Sequence, residues 1–75
     1  MFSKEIFCTR LRQLRQSKNL TIIELGNELN VSKQTISHWE NGDRLPAINV
    51  FVALADYFDV SLDYLVGRSD DPTRR

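Results

Sequence analysis

Between Thr21 and Gly42 the chain has room for two short helices and almost nothing between them, which limits how they can pack. Thr21-Ile22-Ile23-Glu24 reads as a capping box: the threonine hydroxyl takes the Glu24 backbone N–H, and the glutamate reaches back to the Thr21 N–H. Leu25 and Leu29 mark the inner face of this helix. It ends near Asn30, a residue that tolerates the left-handed conformation of a helix C-terminus. Ser32 follows as the N-cap of the next helix. There Ile36 and Trp39 point inward, and Asn41-Gly42 stops the helix, with Gly42 free to take positive φ. Two helices joined this tightly cannot lie antiparallel and must cross at a steep angle.

The rest of the chain is helical by the same signals. Ser3 caps a helix running to about Ser17, with Phe7, Leu11 and Leu14 at i, i+4 and i+7 on one face. Asp43-Arg44-Leu45-Pro46 is a turn, and Pro46 suits the first turn of a fourth helix spanning about Ala47 to Phe58. Phe51, Leu54, Ala55 and Phe58 are its inner stripe. Ser61 caps a brief fifth helix, Leu62 to Val66, ended by Gly67. No segment has strand periodicity, so the expected fold is an all-α bundle of five helices in one domain, residues 1–67. Residues 68–75 are polar, contain Pro72, and read as a disordered tail or a linker.

At 75 residues the chain is near the lower size limit for folding on one core without staples. Cys8 and His38 are the sole cysteine and histidine, so no internal disulfide can form and zinc lacks ligands. Stability must come from apolar burial, and 41% hydrophobic residues suffice for it. No cofactor is implied. No apolar run is long enough for a membrane span, and the N-terminal residues lack the shape of a signal peptide. With an unpaired thiol, the expected setting is cytosolic.

Formal net charge is zero, which argues weakly against nucleic acid as a partner. The charges are unevenly spread, however. Residues 1–44 hold seven Lys/Arg and five Asp/Glu, and residues 45–75 hold three and five. A basic front half can face phosphate while the acidic rear stays away.

The crossing of the second and third helices, about residues 21–41, is helix-turn-helix geometry, in which the second helix enters the major groove of double-stranded DNA. The outer face of that helix fits the role. Lys33, Gln34, Ser37, His38 and Asn41 are mostly uncharged hydrogen-bonding groups, unlike the Glu/Lys mixture of an ordinary solvated face. Gln34 can pair bidentately with adenine and Lys33 can donate to guanine, with Ser37 and His38 as adaptable partners. Free backbone N–H groups at the helix start, beside the Ser32 hydroxyl, can hold a phosphate.

The run Leu14-Arg15, Leu20-Thr21, Glu24-Leu25, Leu29-Asn30-Val31-Ser32 and Thr35 to Gly42 resembles the phage-repressor (Cro/C1, Xre-type) helix-turn-helix family. Leu54 to Gly67 resembles the last two helices of that family, so the likeness covers about residues 5–68. It implies a lambda-repressor-like domain and transcriptional regulation in a bacterium or phage. Lys33, Gln34 and His38 match base-reading positions, and Ser32 and Asn41 match phosphate-contacting ones. Arg44 lies in a loop that often touches the DNA backbone. Arg15 and Glu40 match an ion pair tying helix 1 to the end of helix 3. Three positions depart from the pattern. Ile22 stands where a phosphate-clamping glutamine is usual, Gly26 replaces a small alanine, and Asn30 replaces the turn glycine.

Val52, Tyr57, Tyr64 and Val66 exceed what one small core needs and are candidates for a homodimer patch around helices 4 and 5. A two-fold dimer would place its recognition helices roughly 34 Å apart, one turn of duplex. The expected function is repression from a palindromic operator. Two alternatives stay open: an antitoxin of a toxin–antitoxin pair, and a helix-turn-helix scaffold serving as a protein-interaction module through the helix 4/5 surface. Catalysis is not expected. Ser32, Ser37 and His38 crowd one short helix, and there is no nucleophile elbow and no phosphate-cradling glycine loop.

Overall fold

The computed structural model describes residues 2–74. Its helices are α1 (Lys4–Ser17), α2 (Ile22–Leu29), α3 (Lys33–Asn41), α4 (Ile48–Phe58) and α5 (Leu62–Leu65). Among the described residues there is no strand. Four of the five starts are capped by hydroxyls. Ser3, Thr21, Ser32 and Ser61 each accept from the backbone N–H three residues on. Such a cap satisfies one of the amides a helix start leaves orphaned and contributes about 1 kcal/mol.

The fourth start differs from the sequence expectation. Pro46 does not sit in the first turn of α4. It is buried one residue before Ala47, which occupies the cap position with extended backbone and no side-chain cap bond. Alanine has no side-chain oxygen to offer, so the first amides of α4 are left without a side-chain cap, and Val50 N donates instead to the Ala47 carbonyl at 2.9 Å.

The core draws on every helix: Phe7 and Leu11 from α1, Leu25 from α2, Ile36 and Trp39 from α3, Phe51, Leu54, Ala55 and Phe58 from α4, and Leu65 from α5. Val60, between α4 and α5, joins them. Leu14 and Leu29, expected on inner faces, are half-buried at the edge. α3 packs between α1 and α2, and α5 closes the opposite side against α1 and α4. α3 is thereby braced from behind on two sides.

Residues 68–74 run back over α5 and the end of α4. Ser61 N donates to the Pro72 carbonyl at 2.9 Å, and Arg74 donates to the Ala55 carbonyl at 3.2 Å and to Asp56 at 2.6 Å. Arg10 secures the start of this segment. Its side chain is turned under and only 13% exposed. It donates to the carbonyls of Tyr64 and Ser69 and to Asp70, and it stacks 4.0 Å from the centre of the Tyr64 ring. A guanidinium saves less by staying in water than an ammonium does, and a planar ring and carbonyl oxygens suit its shape.

Candidate nucleic-acid interface

The turn between α2 and α3 is fixed by backbone. The capping box at Thr21 is complete, with Glu24 N donating to Thr21 Oγ1 at 3.1 Å and Thr21 N donating to Glu24 Oε1 at 2.9 Å. Asn30 takes the left-handed conformation, φ 58°, and Val31 N donates to the Gly26 carbonyl at 2.9 Å. Gly26 is buried against this turn: a Cβ built on it would stand 2.6 Å from the Val31 carbonyl oxygen. The missing side chain at Gly26 thus permits a close approach, and that approach is to the turn itself.

Ser32 Oγ accepts from Thr35 N at 3.2 Å and lies 2.9 Å from Thr35 Oγ1. The cap therefore uses one of the first amides of α3 and leaves those of Lys33 and Gln34 at the positive end of the helix. Lys33, Gln34 and Asn41 are exposed, and Ser37 and His38 are half-buried. All five lie on one side, because Ile36 and Trp39, at 0% and 5% exposure, fix the other. Asn41 Nδ2 donates to Ser37 Oγ at 3.4 Å, and His38 Nδ1 is 3.5 Å from Asp43 Oδ2. Gly42, φ 79°, closes the helix, and Asp43 N donates to the His38 carbonyl at 2.9 Å. Arg44 is exposed in the loop that follows, on the rim of a cleft shared with Gln34, Thr35 and His38. Base-reading and backbone candidates thus share one continuous surface.

Behind it, Glu40 is the buried charged residue of the described chain, 6% exposed. Arg15 meets it as a fork, Nε to Oε2 at 2.7 Å and Nη2 to Oε1 at 3.1 Å, and donates to the Leu20 carbonyl at 2.8 Å. The hydrogen bond to Glu40 holds the Arg15 guanidinium above its ordinary pKa, against the opposing effect of burial. A second cation reaches the same carboxylate. Arg12 Nε is 3.4 Å from Glu40 Oε1, and its Nη2 donates to the Glu40 backbone carbonyl at 3.2 Å. Arg12 stays half in solvent, its side chain 49% exposed. Its spacing from Arg15, nearly one turn, is the signal that both can reach one point on a neighbouring helix.

Cys8 is half-buried on α1 beside Gly42, and burial pushes its thiol pKa up. The dimer candidates do not present equally. Val52 is 44% exposed on α4, with Ile48 one turn earlier at 71%. Tyr57 and Tyr64 are half-buried under different cations, Lys18 and Arg10. Loss of solvation, then the nearby Glu28 carboxylate, raises the Tyr57 pKa. Val66 is half-buried, and its carbonyl accepts from Ser3 N at 3.0 Å. No helix of the described residues is long and apolar enough to cross a membrane.

The fold and this surface define a helix-turn-helix domain. The helix-turn-helix family model matches residues 11–65, and the chain belongs to that family, in its phage-repressor (Cro/C1) branch. It is 37% identical over 67 residues to an uncharacterized HTH-type transcriptional regulator, YobD, of Bacillus subtilis, covering 89% of this chain and 60% of that one. It is 38% identical over 60 residues to the HTH-type transcriptional activator BcrR of Enterococcus faecalis, covering 80% and 29%. The cryptic phage CTXphi transcriptional repressor RstR of Vibrio cholerae is 32% identical over 59 residues, covering 79% and 53%. The chain thus spans less than two thirds of the length of these relatives. The solution structure of the SOS-response transcriptional repressor LexA from Eubacterium rectale superposes with a TM-score of 0.78 at 32% identity, covering 84% of this chain and 67% of that one.

Proposed function

We propose that this chain binds double-stranded DNA sequence-specifically through α3 and represses transcription from a palindromic operator, as a cytosolic homodimer. One observation carries the reading: a helix braced from behind turns Lys33, Gln34, Ser37 and His38 to one side together, and among the described residues no carboxylate pairs with Lys33. Lys33 and Gln34 sit on its first turn, where a helix laid in the major groove meets base edges. Ser32, Asn41 and Arg44 flank them as phosphate contacts that fix register. The exposed apolar pair Ile48 and Val52 is the surface a second copy would cover. Repression follows the two named repressors among the similar proteins, while BcrR, an activator, keeps the opposite outcome within the same fold.

Selection from random duplex DNA tests this, followed by titration of the enriched and a scrambled site. A palindromic consensus with affinity falling steeply in salt is the expected result. Equal, weak binding to every duplex would shift the assignment to a protein-interaction module. On the enriched site, Gln34→Ala should relax preference at one base position and cost about 1–3 kcal/mol of binding. Asn41→Ala should weaken every sequence alike. Uniform loss in the first, or base-selective loss in the second, reverses the respective assignment.

A further inference from the structure

Asn41 poses an electrostatic difficulty as a phosphate contact. It is the last residue of α3, where the helix dipole places partial negative charge, so a phosphate there is repelled unless cations stand close by. The structure supplies them from α1. A cleft between the first half of α1 and the end of α3 is rimmed by Lys4, Arg12, Asn41 and Gly42. The Lys4 chain lies over Gly42, its Cε 3.7 Å from where a Cβ on that glycine would be. Among the described residues, no carboxylate pairs with the Lys4 ammonium.

Arg12 is placed in the same way. Arg15 already holds both oxygens of Glu40, at 2.7 and 3.1 Å, whereas Arg12 approaches only Oε1, at 3.4 Å, and its side chain is 49% exposed. The positive charge of Arg12 is therefore surplus to the ion pair. Its Nη2 is anchored on the Glu40 carbonyl, and no bond among the described residues uses its Nη1. The rim also bears Glu5, which sits at the positive start of α1.

We infer that Lys4 and Arg12 form, with Asn41, a second phosphate clamp on the α1 side, holding the duplex backbone just past the C-terminal end of α3. The inference rests on the DNA-binding reading above. Arg12 is pre-set by Glu40, so little side-chain freedom is lost when a phosphate arrives. The clamp carries no base information and extends the footprint beyond the recognition helix.

The test titrates the full chain, Arg12→Gln, Arg12→Lys and Lys4→Gln against the enriched and the scrambled duplex between 50 and 200 mM salt. Each Gln variant should lower the salt slope by about one, so the wild-type advantage shrinks about 3- to 4-fold across that range, equally on both duplexes. Arg12→Lys keeps the charge but cannot form the guanidinium contacts to Glu40, and it should retain the wild-type slope. An unchanged slope in Arg12→Gln overturns the clamp while leaving DNA binding intact. If Arg12→Gln does not fold, Lys4→Gln, which makes no hydrogen bond to Glu40, decides by the same criterion. A wild-type chain that binds no duplex overturns both readings.

Discussion

Glu40→Ala should lower the unfolding free energy by about 3–5 kcal/mol, a large share of what a domain this small has. The carboxylate is 6% exposed and answers two guanidinium groups. Arg15 is 14% exposed, cannot shed its proton, and is tied to the Leu20 carbonyl as well as to Glu40. Removing Glu40 thus leaves one cation desolvated and a second facing it. At about 4 °C or more per kcal/mol for this chain length, the melting temperature should drop by more than about 12 °C. Replacing both partners together, Arg15→Met with Glu40→Leu, should recover most of the loss, because the penalty lies in the orphaned charge and not in the missing bridge. A Glu40→Ala chain that melts within about 1 kcal/mol of wild type would place this pair with surface salt bridges and remove it as the brace of α3.

The parts of this fold legible in the sequence are those written locally. A hydroxyl residue just ahead of a helical apolar pattern is a local capping signal, so the starts of α1, α2, α3 and α5 can be read residue by residue. The inner stripes were legible because helical periodicity leaves few ways to bury Ile36 with Trp39 or Leu54 with Phe58. The destinations of long side chains were not. Arg10 ends on Ser69 and Asp70, and Arg12 on Glu40, by contacts that exist only once α1, α3 and the C-terminal segment have met. Charge spacing shows that an arginine has a choice of partners but not which one the packing brings near. The exposure of Ile48 and the half-burial of Tyr57 and Tyr64 belong to the same class, since composition showed a surplus of apolar residues without saying which would stay outside. On the candidate interface, the outward face of α3 followed from its inward one, and the cations lining its C-terminal end did not.

Gly26→Val should cost about 3 kcal/mol of stability and disturb DNA binding beyond that loss. The helix itself tolerates valine and even prefers it to glycine by a few tenths of a kcal/mol. The obstacle is the turn. The Val31 carbonyl oxygen would lie 2.6 Å from the new Cβ, and the Val31 and Ser32 carbonyl carbons 3.6 Å from it. These are backbone atoms, held in place from the other side by the Val31 N–H bond to the Gly26 carbonyl at 2.9 Å and by the left-handed Asn30. Relief requires opening the turn, which displaces the start of α3 and with it Lys33 and Gln34. Gly26→Ala separates the contributions. It gains about 1 kcal/mol of helix propensity but brings the same Cβ to 2.6 Å from the same carbonyl, so it too should lose stability, by less than valine because no branched methyls follow. Denaturant titration of both variants gives the stabilities, and binding to the enriched duplex under conditions where each remains folded gives the second effect. A valine variant as stable as the wild type would mean that the turn yields freely, and the fixed crossing of α2 and α3 would then need another cause.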